Sequence, residues 1–398
     1  MRVLHIVTAY PRYPGDPIVP WLTELIRHLQ SRGIESEIFT SAYHGGGNRE
    51  YDGVPVHRFR YMVAPWERLT HEENAADRAG RSPLFAMVSL AYIVAGVRAI
   101  RALVRRARYD VIHVHWPVPH ALFGAAAQAV SRAPMVTTYY GAELRLAARS
   151  TLFTRVLRMG AARSVRNVAI SRHTAADLAQ LTGAKADVIP YSIAFTPHPH
   201  STRRAGGPFT VLFVGRLVER KGVRVLLEAW ARAALPNARL VIIGDGPDRT
   251  ALEARAEALG LGGSVEFRGR ASDAELETAY STADLFVLPA VLDSRGDTEG
   301  LGVVLLEAMA SHVPVLASAA GGITDVVVDG VSGVLVPPGD VAALTAGLQR
   351  LAAQPDLRTR LATGGAARVR DEFSWDAIAD RWAAVYADAT RVRRTTHA

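Results

Sequence analysis

The sequence predicts an α/β protein made of two doubly wound sheets, each with helices on both faces. Three observations lead to this fold class. Short apolar strands alternate with amphipathic stretches along most of the chain, a pattern typical of parallel sheets. A segment rich in Pro, Gly, Ser and Arg at 190–208 interrupts the alternation, which then starts again. The 398 residues are 49% hydrophobic, so the chain is long enough for two cores.

The first predicted domain, residues 1–190, opens with an apolar strand, a loop rich in Pro and Gly, and an amphipathic helix. The strand covers 3–9, and the helix covers 21–32 and stops at Gly33, because glycine favours helix ends. Four more strands are predicted at 36–40, 111–115, 135–139 and 167–171, with helices at 121–131 and 173–181.

The second predicted domain, residues 209–372, follows a linker at 191–208. Its strands are predicted at 210–214, 239–243, 265–267 and 285–288, and its helices at 222–234, 249–259 and 273–281. A last helix within 373–398 is expected to cross back onto the first domain. Because open sheets bind ligands beyond the carboxyl ends of their strands, we expect a binding cleft between the two domains.

The composition excludes several kinds of chemistry. The chain contains no cysteine, so it has no disulfide, no thiolate nucleophile and no zinc–cysteine site. The apolar run after Met1 is too short and too strand-like for a signal peptide. We therefore expect a cytoplasmic protein.

Positive charge is concentrated in the first half of the chain. Residues 1–200 hold 24 basic and 14 acidic side chains, whereas the remainder hold 22 and 24. This asymmetry suggests an anionic partner, such as a phosphorylated acceptor, a membrane surface or nucleic acid, and a basic solvated surface explains it equally well. Only two lysines occur, Lys185 and Lys221, so a lysine is an uncommon choice at any position.

One segment of the first half combines an apolar run with arginines. Residues 84–97 carry no charge and are too few to span a bilayer, so they predict a buried helix. Arginines follow at steps of three, four and three, which places them on one helical face: Arg98, Arg101, Arg105 and Arg108. That face is either a membrane- or phosphate-binding surface or the solvated side of an ordinary amphipathic helix. Of the anionic partners considered for the basic first half, we expect a phosphorylated acceptor or a membrane surface and no nucleic acid.

The most informative stretch of the second half is bounded by Glu299 and Glu307. In one continuous helix these carboxylates would lie roughly 80° apart around the axis and ~12 Å apart along it, so they would not share a face. The glycines Gly300 and Gly302 favour a tight turn instead, with a helix that begins near Val303.

A helix start of this kind can bind phosphates. Its first N–H groups have no partner within the helix, and the helix dipole is positive there. The amides of Gly302 and Val303 could therefore bind a diphosphate, while Glu307 accepts hydrogen bonds from a ribose diol and Glu299 from sugar hydroxyls. The alternative is an ordinary helix with an acidic residue near its start.

Together with three further motifs, this stretch resembles the retaining GT-B glycosyltransferases of family 4, the group 1 glycosyl transferases. The motifs are Phe-Val-Gly-Arg-Leu-Val-Glu-Arg-Lys-Gly at 213–222, Ile-Gly-Asp-Gly-Pro at 243–247, Glu-Gly-Leu-Gly-Val-Val-Leu-Leu-Glu-Ala-Met-Ala at 299–310 and Gly-Gly-Ile-Thr-Asp-Val-Val at 321–327. The resemblance covers nearly the whole chain and implies a GT-B fold, in which two Rossmann-like domains face each other across a cleft.

The resemblance implies roles for matching residues of the second domain. Arg216 and Lys221 would bind the donor diphosphate, since a leaving nucleoside diphosphate gains negative charge as the glycosidic bond breaks. Arg270 lies where the family holds the nucleotide base by backbone groups. The remaining donor contacts are expected from Gly215, Gly300, Leu301, Gly302, Val303 and Glu307.

The first domain matches the family less well. His115 falls where a histidine of the family reaches the transferred sugar, so it joins Arg216, Lys221 and Glu299 as a predicted catalytic residue. On the acceptor side the predicted residues are Gly15, Asp16, Tyr140 and Glu143. The chain has Pro-Gly-Asp-Pro at 14–17 in place of Gly-Gly, Tyr-Gly-Ala-Glu at 140–143 in place of His-Gly-x-Asp, and Pro-Tyr-Ser-Ile-Ala at 190–194 in place of Pro-Asn-Gly-x-Asp.

The implied reaction moves a hexosyl unit from a nucleoside-diphosphate sugar to an acceptor hydroxyl with retention of configuration. A donor phosphate oxygen is thought to help deprotonate the acceptor, which requires no carboxylate nucleophile. The chain has no Asp-x-Asp motif, so we expect Arg216, Lys221 and helix amides to replace a divalent metal, and we expect no other cofactor. The alternatives are a sugar-nucleotide epimerase on the same fold and a non-catalytic sugar-nucleotide-binding protein.

Overall fold

The computed structural model describes residues 1–16, 18–67, 69, 83–194 and 207–395. The chain divides into two compact units: unit 1 is Met1–Tyr191 with Trp375–Ala398, and unit 2 is Ser192–Ser374. Most of the predicted linker lies outside the described residues. Each unit contains a mainly parallel sheet with helices, so the predicted α/β class is confirmed.

The sheet of unit 1 has eight strands in the order β3-β4-β2-β1-β5-β6-β7-β8. Neighbouring strands are parallel except for β3 and β4. The strands are β1 (Arg2–Ile6), β2 (Glu35–Ser41), β3 (Arg49–Tyr51), β4 (Val54–Phe59), β5 (Val111–His115), β6 (Met135–Tyr139), β7 (Ser164–Ala169) and β8 (Asp187–Val188).

The hairpin formed by β3 and β4 was not among the predicted elements. Asp52 and Gly53 connect its strands with φ values of 52° and 73°. Positive φ at both central residues is typical of the type I′ turn, for which Asp-Gly is a preferred sequence. The dipeptide was therefore a usable signal for this hairpin.

The sheet of unit 2 has six strands, all parallel, in the order β11-β10-β9-β12-β13-β14. They are β9 (Phe209–Val214), β10 (Ala238–Ile243), β11 (Val265–Gly269), β12 (Leu285–Leu288), β13 (Val315–Ser318) and β14 (Val334–Val336). Most of these strand residues are buried, as expected when helices cover both faces of a parallel sheet.

Fourteen α-helices occur among the described residues. The first six belong to unit 1: α1 (Pro20–Gln30), α2 (Pro83–Arg106), α3 (Pro117–Ser131), α4 (Ala142–Ala148), α5 (Thr151–Arg163) and α6 (Arg172–Thr182). Unit 2 contains α7 (Val223–Ala233), α8 (Arg249–Ala258), α9 (Asp273–Thr282), α10 (Val303–Ala310), α11 (Ile323–Val326), α12 (Val341–Ala353) and α13 (Pro355–Glu372), and α14 (Trp375–Thr395) returns to unit 1. Two 3₁₀ turns lie at Ala64–Trp66 and Glu219–Lys221.

Helices cover both faces of the unit 1 sheet. On one face Leu22 and Ile26 of α1 share a core with Trp382 and Tyr386 of α14. On the other face Ile100 of α2 and Phe123 of α3 pack with strand residues such as Leu4 and Phe39. The last helix of the chain is thus part of the first unit's core.

Helix α2 differs from the fully buried helix expected at 84–97. Buried residues recur every four positions at Val88, Tyr92, Gly96, Ile100 and Val104. The opposite side is exposed, with exposed fractions of 56% for Met87, 62% for Leu90 and 42% for Val94. The expectation of complete burial is therefore wrong. By length and composition alone, Ala86–Arg106 is also apolar enough to cross a membrane, a test that core helices of soluble proteins pass too.

Each sheet has a point where the order of its strands reverses. In unit 1, β2 and β4 lie on one side of β1, and β5 starts the other side. In unit 2, β10 and β11 lie on one side of β9, and β12 starts the other. Ligands of open α/β sheets bind at the carboxyl ends of the strands that meet there. The fold therefore predicts ligand sites beside the residues that follow β1 and β5 in unit 1, and beside those that follow β9 and β12 in unit 2.

Candidate active site

The centre of the unit 2 site is an ion pair between Lys221 and Glu299. Lys221 ends the 3₁₀ turn after β9, and its Nζ atom lies 2.5 Å from Oε2 of Glu299. Nη1 of Arg220 lies 3.3 Å from the same oxygen. Burial raises the pKa of Glu299, but the charges of Lys221 and Arg220 outweigh it and hold the pKa below the usual value. Glu299 is therefore an ionised, buried carboxylate with two cationic partners.

Two glycines support the loop that carries Glu299. The N–H of Gly322 donates to the carbonyl oxygen of Glu299 at 2.9 Å. A Cβ atom at Gly321 would lie only 2.1 Å from that oxygen, and one at Gly322 the same distance from the carbonyl oxygen of Gly300. The Gly-Gly of the fourth motif therefore permits close packing beneath Glu299.

The helix predicted after the glycine turn is present. It begins at Val303, and Gly302 precedes it with φ +88°, a left-handed conformation that glycine adopts without strain. The N–H of Leu305 donates to the carbonyl oxygen of Gly302 at 2.8 Å, whereas the first N–H groups of a helix, here those of Val303 and Val304, have no partner within it. Gly300, Leu301 and Val303 lie in this turn, so the structure places these predicted donor contacts together.

Glu307 lies on the second turn of α10. Its Oε2 atom accepts a hydrogen bond of 2.7 Å from the hydroxyl of Tyr280 on α9. Burial raises the pKa of Glu307, and the Tyr280 hydrogen bond and the charge of Lys221 oppose that rise. Lys221 thus acts electrostatically on both glutamates of the motif.

Arg216 and Arg270 line one cavity, about 470 Å³ in volume, together with Asp245 and Gly246. Arg216 follows β9 and Arg270 follows β11, and both guanidinium groups are on exposed residues. Gly215, which directly follows β9, is close to the ion pair, since a Cβ atom there would lie 3.6 Å from Cε of Lys221. Arg216, a predicted diphosphate contact, and Arg270, at the predicted base position, therefore share a cavity, and Lys221 is engaged with Glu299.

Sequence reasoning missed two residues of this site, Arg220 and Tyr280. Arg220 precedes Lys221 in the first motif, and its position next to a predicted cation was a signal. No pattern around Tyr280 indicated that its hydroxyl would meet Glu307, because 27 positions separate the two residues.

Three fully buried histidines lie on one face of the unit 1 sheet: His5 on β1, and His113 and His115 on β5. His5 pairs in register with His113, and His115 is two residues further along β5, so all three point to the same side. Burial lowers the pKa of His5 to about 3 and lowers those of His113 and His115 well below the usual value. All three imidazoles are therefore neutral near pH 7.

Each of the six ring nitrogens has a hydrogen-bond partner. His5 contacts His115 at 3.2 Å and Oγ of Ser36 at 3.2 Å. His113 contacts the hydroxyls of Tyr386 and Thr138, both at 2.7 Å. The second nitrogen of His115 contacts the hydroxyl of Tyr140 at 2.7 Å.

This hydrogen bonding bears on two predictions. Ligand atoms of His5, His113 and His115 lie within 4.8 Å of one another, a spacing that a metal ion could bridge. The network is complete without an ion, however, because every nitrogen is already partnered. For the same reason His115 could touch a sugar directly only if Tyr140 or His5 gave up its hydrogen bond.

The predicted acceptor residues Tyr140 and Glu143 contact each other at the start of α4. The backbone N–H of Tyr140 donates to Oε1 of Glu143 at 2.6 Å. Oε2 of Glu143 is buried and has no hydrogen-bond partner among the described residues. Burial raises the pKa of this carboxyl to about 7, although backbone hydrogen bonds oppose the rise.

Gly15 and Asp16 lie in the loop between β1 and α1. Gly15 adopts φ +82°. Asp16 is buried, and its carboxylate accepts hydrogen bonds from the backbone N–H and the guanidinium of Arg12, at 3.1 Å and 2.7 Å. In this loop Asp16 therefore fixes the backbone rather than presenting a free carboxylate.

Around Tyr140 the structure also brings together Trp21, Trp116 and Tyr191, which the sequence did not indicate.

Two family models match the chain in succession. The model for Glycosyltransferase Family 4 matches residues 20–194. The model for Glycosyl transferases group 1 matches residues 195–368. Together they cover most of the chain.

Curated relatives agree with these models. The chain is 32% identical to the D-inositol 3-phosphate glycosyltransferase of Xylanimonas cellulosilytica, over 94% of this chain and 92% of the relative. It is also 32% identical to the phosphatidyl-myo-inositol mannosyltransferase of Mycobacterium leprae, over 72% of this chain and 77% of the relative.

Solved structures with low sequence identity share the fold. The sucrose-phosphate synthase of Thermosynechococcus elongatus aligns with a TM-score of 0.75 at 23% identity, over 98% of this chain and 99% of that one. The Anabaena protein HepE, solved in complex with UDP and glucose, aligns with a TM-score of 0.69 at 20% identity, over 98% and 100%. The family models and the close relatives establish that this chain is a GT-B glycosyltransferase of the group 1 family.

Proposed function

We propose that this enzyme transfers a hexosyl unit from a nucleoside-diphosphate sugar to an acceptor hydroxyl, with retention of configuration and without a divalent metal. The observation that carries the proposal is the arrangement around Lys221. Its ammonium pairs with Glu299 and acts on Glu307, the two acids on either side of the α10 start. This site combines a cation, free helix amides and two hydrogen-bond acceptors for hydroxyls.

The donor diphosphate fits the positive groups of this site. Arg216 and Arg270 line the 470 Å³ cavity, and the N–H groups of the first turn of α10 favour an anion. A leaving nucleoside diphosphate gains charge as the glycosidic bond breaks, so preorganised cations stabilise the transition state more than the ground state. These groups supply the positive charge that a divalent ion supplies in other enzymes.

The hydroxyl groups of the donor fit the two glutamates. Ionised Glu299 is an acceptor only, and it suits hydroxyls of the transferred sugar. Glu307, held by Tyr280, suits the ribose diol. Neither carboxylate is assigned as a nucleophile, and a phosphate oxygen of the donor would take the acceptor's proton on the face that the leaving group vacates.

The acceptor belongs on unit 1, at the carboxyl ends of β1, β5 and β6. His115 and Tyr140 lie there, next to the reversal point of the strand order. The two curated relatives are named for transfer to an inositol phosphate and to phosphatidyl-myo-inositol. A cyclic polyol of the inositol kind is therefore the acceptor class that we propose.

A peripheral contact with anionic membranes is part of the proposal. The exposed side of α2 is apolar at Met87, Leu90 and Val94 and continues with Arg98, Arg101 and Arg105. The fourth arginine predicted for this face, Arg108, is not part of it, because α2 ends at Arg106. An apolar stretch followed by cations on one helical face suits insertion among lipid headgroups. On this proposal the enzyme acts in the cytoplasm, at the membrane surface.

The test is a panel of UDP-, GDP-, ADP- and dTDP-hexoses. One donor should raise the melting temperature, because a ligand that binds only the folded state stabilises it. With an inositol acceptor, that donor should give a product with the anomeric configuration of the donor. Epimerised donor without acceptor would instead support an epimerase, and binding without any turnover would support a non-catalytic role.

A further inference from the structure

Four aromatic side chains of unit 1 meet at the carboxyl ends of its strands. Trp116 directly follows β5, Tyr140 directly follows β6, Tyr191 lies three residues after β8, and Trp21 is the second residue of α1. All four are partly exposed. We call these four residues the aromatic surface.

The rings of the aromatic surface contact one another closely. Trp116 and Tyr140 stack with centroids 4.4 Å apart and planes at 23°. Trp21 lies 4.9 Å from Tyr191 and 5.2 Å from Tyr140. The surface is therefore continuous and apolar, and it lies beside the reversal point of the sheet, where ligands of such folds bind.

A buried chain of hydrogen bonds fixes the orientation of Tyr140. Its hydroxyl contacts Nδ1 of His115, Nε2 of His115 contacts Nδ1 of His5, and Nε2 of His5 contacts Ser36. The imidazoles are neutral, so each has one donor and one acceptor and the chain has a single direction of donation. Tyr140 thus directs its hydroxyl towards His115 and stacks against Trp116, and the residue is partly exposed.

Trp116 itself is held in an uncommon conformation. Its backbone has φ +50° and ψ 77°, a left-handed region that costs a bulky residue energy and tends to occur at functional sites. This conformation positions its indole against Tyr140, which is the closest contact within the surface.

We propose that the aromatic surface binds the C–H face of the acceptor's ring, a cyclic polyol such as an inositol. This rests on the proposed function and names the residues that select the acceptor. The π faces of aromatic rings carry partial negative charge and attract the partly positive axial C–H groups of a saturated ring. The hydroxyls of the polyol point outward along the ring edge, where polar groups and water can bind them. His115 and His5 are positioning residues that act through Tyr140.

The binding test needs no donor and no turnover. Saturation-transfer NMR on the full-length protein would use myo-inositol and D-inositol 3-phosphate as ring compounds and sorbitol as an open-chain control. Saturation should reach the ring C–H protons of both ring compounds, and sorbitol should receive none. If only the phosphorylated compound binds, a phosphate site rather than the aromatic surface recognises the acceptor, and the proposal is overturned.

Variants then test the residues. Trp116→Leu and Tyr140→Leu should each weaken ring binding about tenfold, the effect of one lost aromatic contact. Tyr140→Phe keeps the ring and should retain most of the affinity. Trp66→Leu is the matched control, because Trp66 is 44% exposed and is not part of the surface. Unchanged binding in Trp116→Leu, or a loss in Tyr140→Phe equal to that in Tyr140→Leu, would overturn the proposal.

The two proposals fail separately. Transfer from a sugar nucleotide without ring binding at this surface would contradict only the acceptor-binding role of the aromatic surface. Ring binding without transfer from any donor of the panel would remove only the proposed function.

Discussion

Nζ of Lys221 lies 2.5 Å from Oε2 of Glu299, and the two residues have exposed fractions of only 8% and 9%. A buried charge is tolerated when it is paired, and each member of this pair compensates the other. The chain has only one other lysine, Lys185, which is exposed. The ion pair links the loop after β9 to the turn before α10, and it is central to the proposed donor site.

Lys221→Ala should reduce kcat by ~10²–10³, because a preorganised cation at the leaving group is lost. It should also lower the free energy of unfolding by about 3 kcal/mol, because Glu299 loses its main partner. Steady-state kinetics and urea denaturation measure the two effects. Lys185→Ala is the matched control and should change neither.

A double variant separates the stability effect from the catalytic one. Lys221→Met combined with Glu299→Gln removes both charges and should regain most of the lost stability. Turnover should stay low. Recovery of kcat in this variant would contradict the assignment of Lys221 to the leaving group.

Glu307→Gln should raise the donor KM about tenfold, the effect of one charged hydrogen bond to the ribose. Its kcat should stay within about threefold of the wild-type value, because the ribose does not react. Tyr280→Phe removes the hydroxyl that holds Glu307 and should raise the donor KM by a smaller factor. A large fall in kcat with an unchanged KM would show that Glu307 acts in the chemical step instead.

Glu143 should make the stability of the enzyme depend on pH. Its folded pKa is about 7, above the usual 4.5, so its contribution is complete below about pH 4.5 and is lost as pH rises through 7. The loss should reach ~3 kcal/mol, at 1.36 kcal/mol per pKa unit. Urea denaturation near pH 5 and near pH 8 measures it, and Glu143→Gln, which cannot ionise, should lack this component. The same pH dependence in both proteins would contradict the raised pKa.

Removal of divalent metals should leave transfer intact. Arg216, Arg270, Lys221 and the amides of α10 are proposed to supply the positive charge at the diphosphate. After treatment with EDTA and gel filtration, kcat should match that of the same preparation with magnesium added back. A fall of more than about tenfold that magnesium restores would assign the diphosphate to a metal instead.

Helix α2 should bring the enzyme to anionic membranes. Arg101→Gln with Arg105→Gln should weaken sedimentation with phosphatidylserine-containing vesicles roughly 30-fold, at about 1 kcal/mol for each cation. Arg350→Gln with Arg360→Gln is the matched control, since both residues are exposed on helices of unit 2. Equal binding by the two double variants would indicate that α2 does not face the membrane.

Much of the fold follows from local sequence. Strands β5, β6 and β12 were predicted with the observed bounds, because buried parallel strands form short apolar runs with clear ends. The start of α10 at Val303 followed from the glycine turn. The elements that were not predicted are the hairpin of β3 and β4, the strands β8, β13 and β14, and the helices α4, α5, α11, α12 and α13. Usable signals were present: the Asp-Gly dipeptide at 52–53 for the hairpin, and the helical spacing of Phe153, Val156 and Leu157 for α5.

The site was predictable as a set of residues but not as a set of contacts. The motifs identified Lys221, Glu299 and Glu307, yet nothing in them indicated that Lys221 pairs with Glu299 across 78 positions. Alternation along β5 placed His113 and His115 on one face. Only the register between β1 and β5 showed that His5 lies beside them and forms a hydrogen bond with Nε2 of His115.

The sequence by itself determined the α/β class, the alternation of strands and helices over much of each unit, the glycine turn before α10 and the chemical types of the predicted site residues, because these depend on neighbours a few positions apart. The tertiary structure decided which side chains meet: Lys221 with Glu299, Tyr280 with Glu307, and Tyr140 with His115 and Trp116. Such contacts are set by strand register and helix packing, which join segments far apart in the chain. The exact distances between these side chains, which set the hydrogen bonds and the pKa shifts of the site, therefore depend on the tertiary structure.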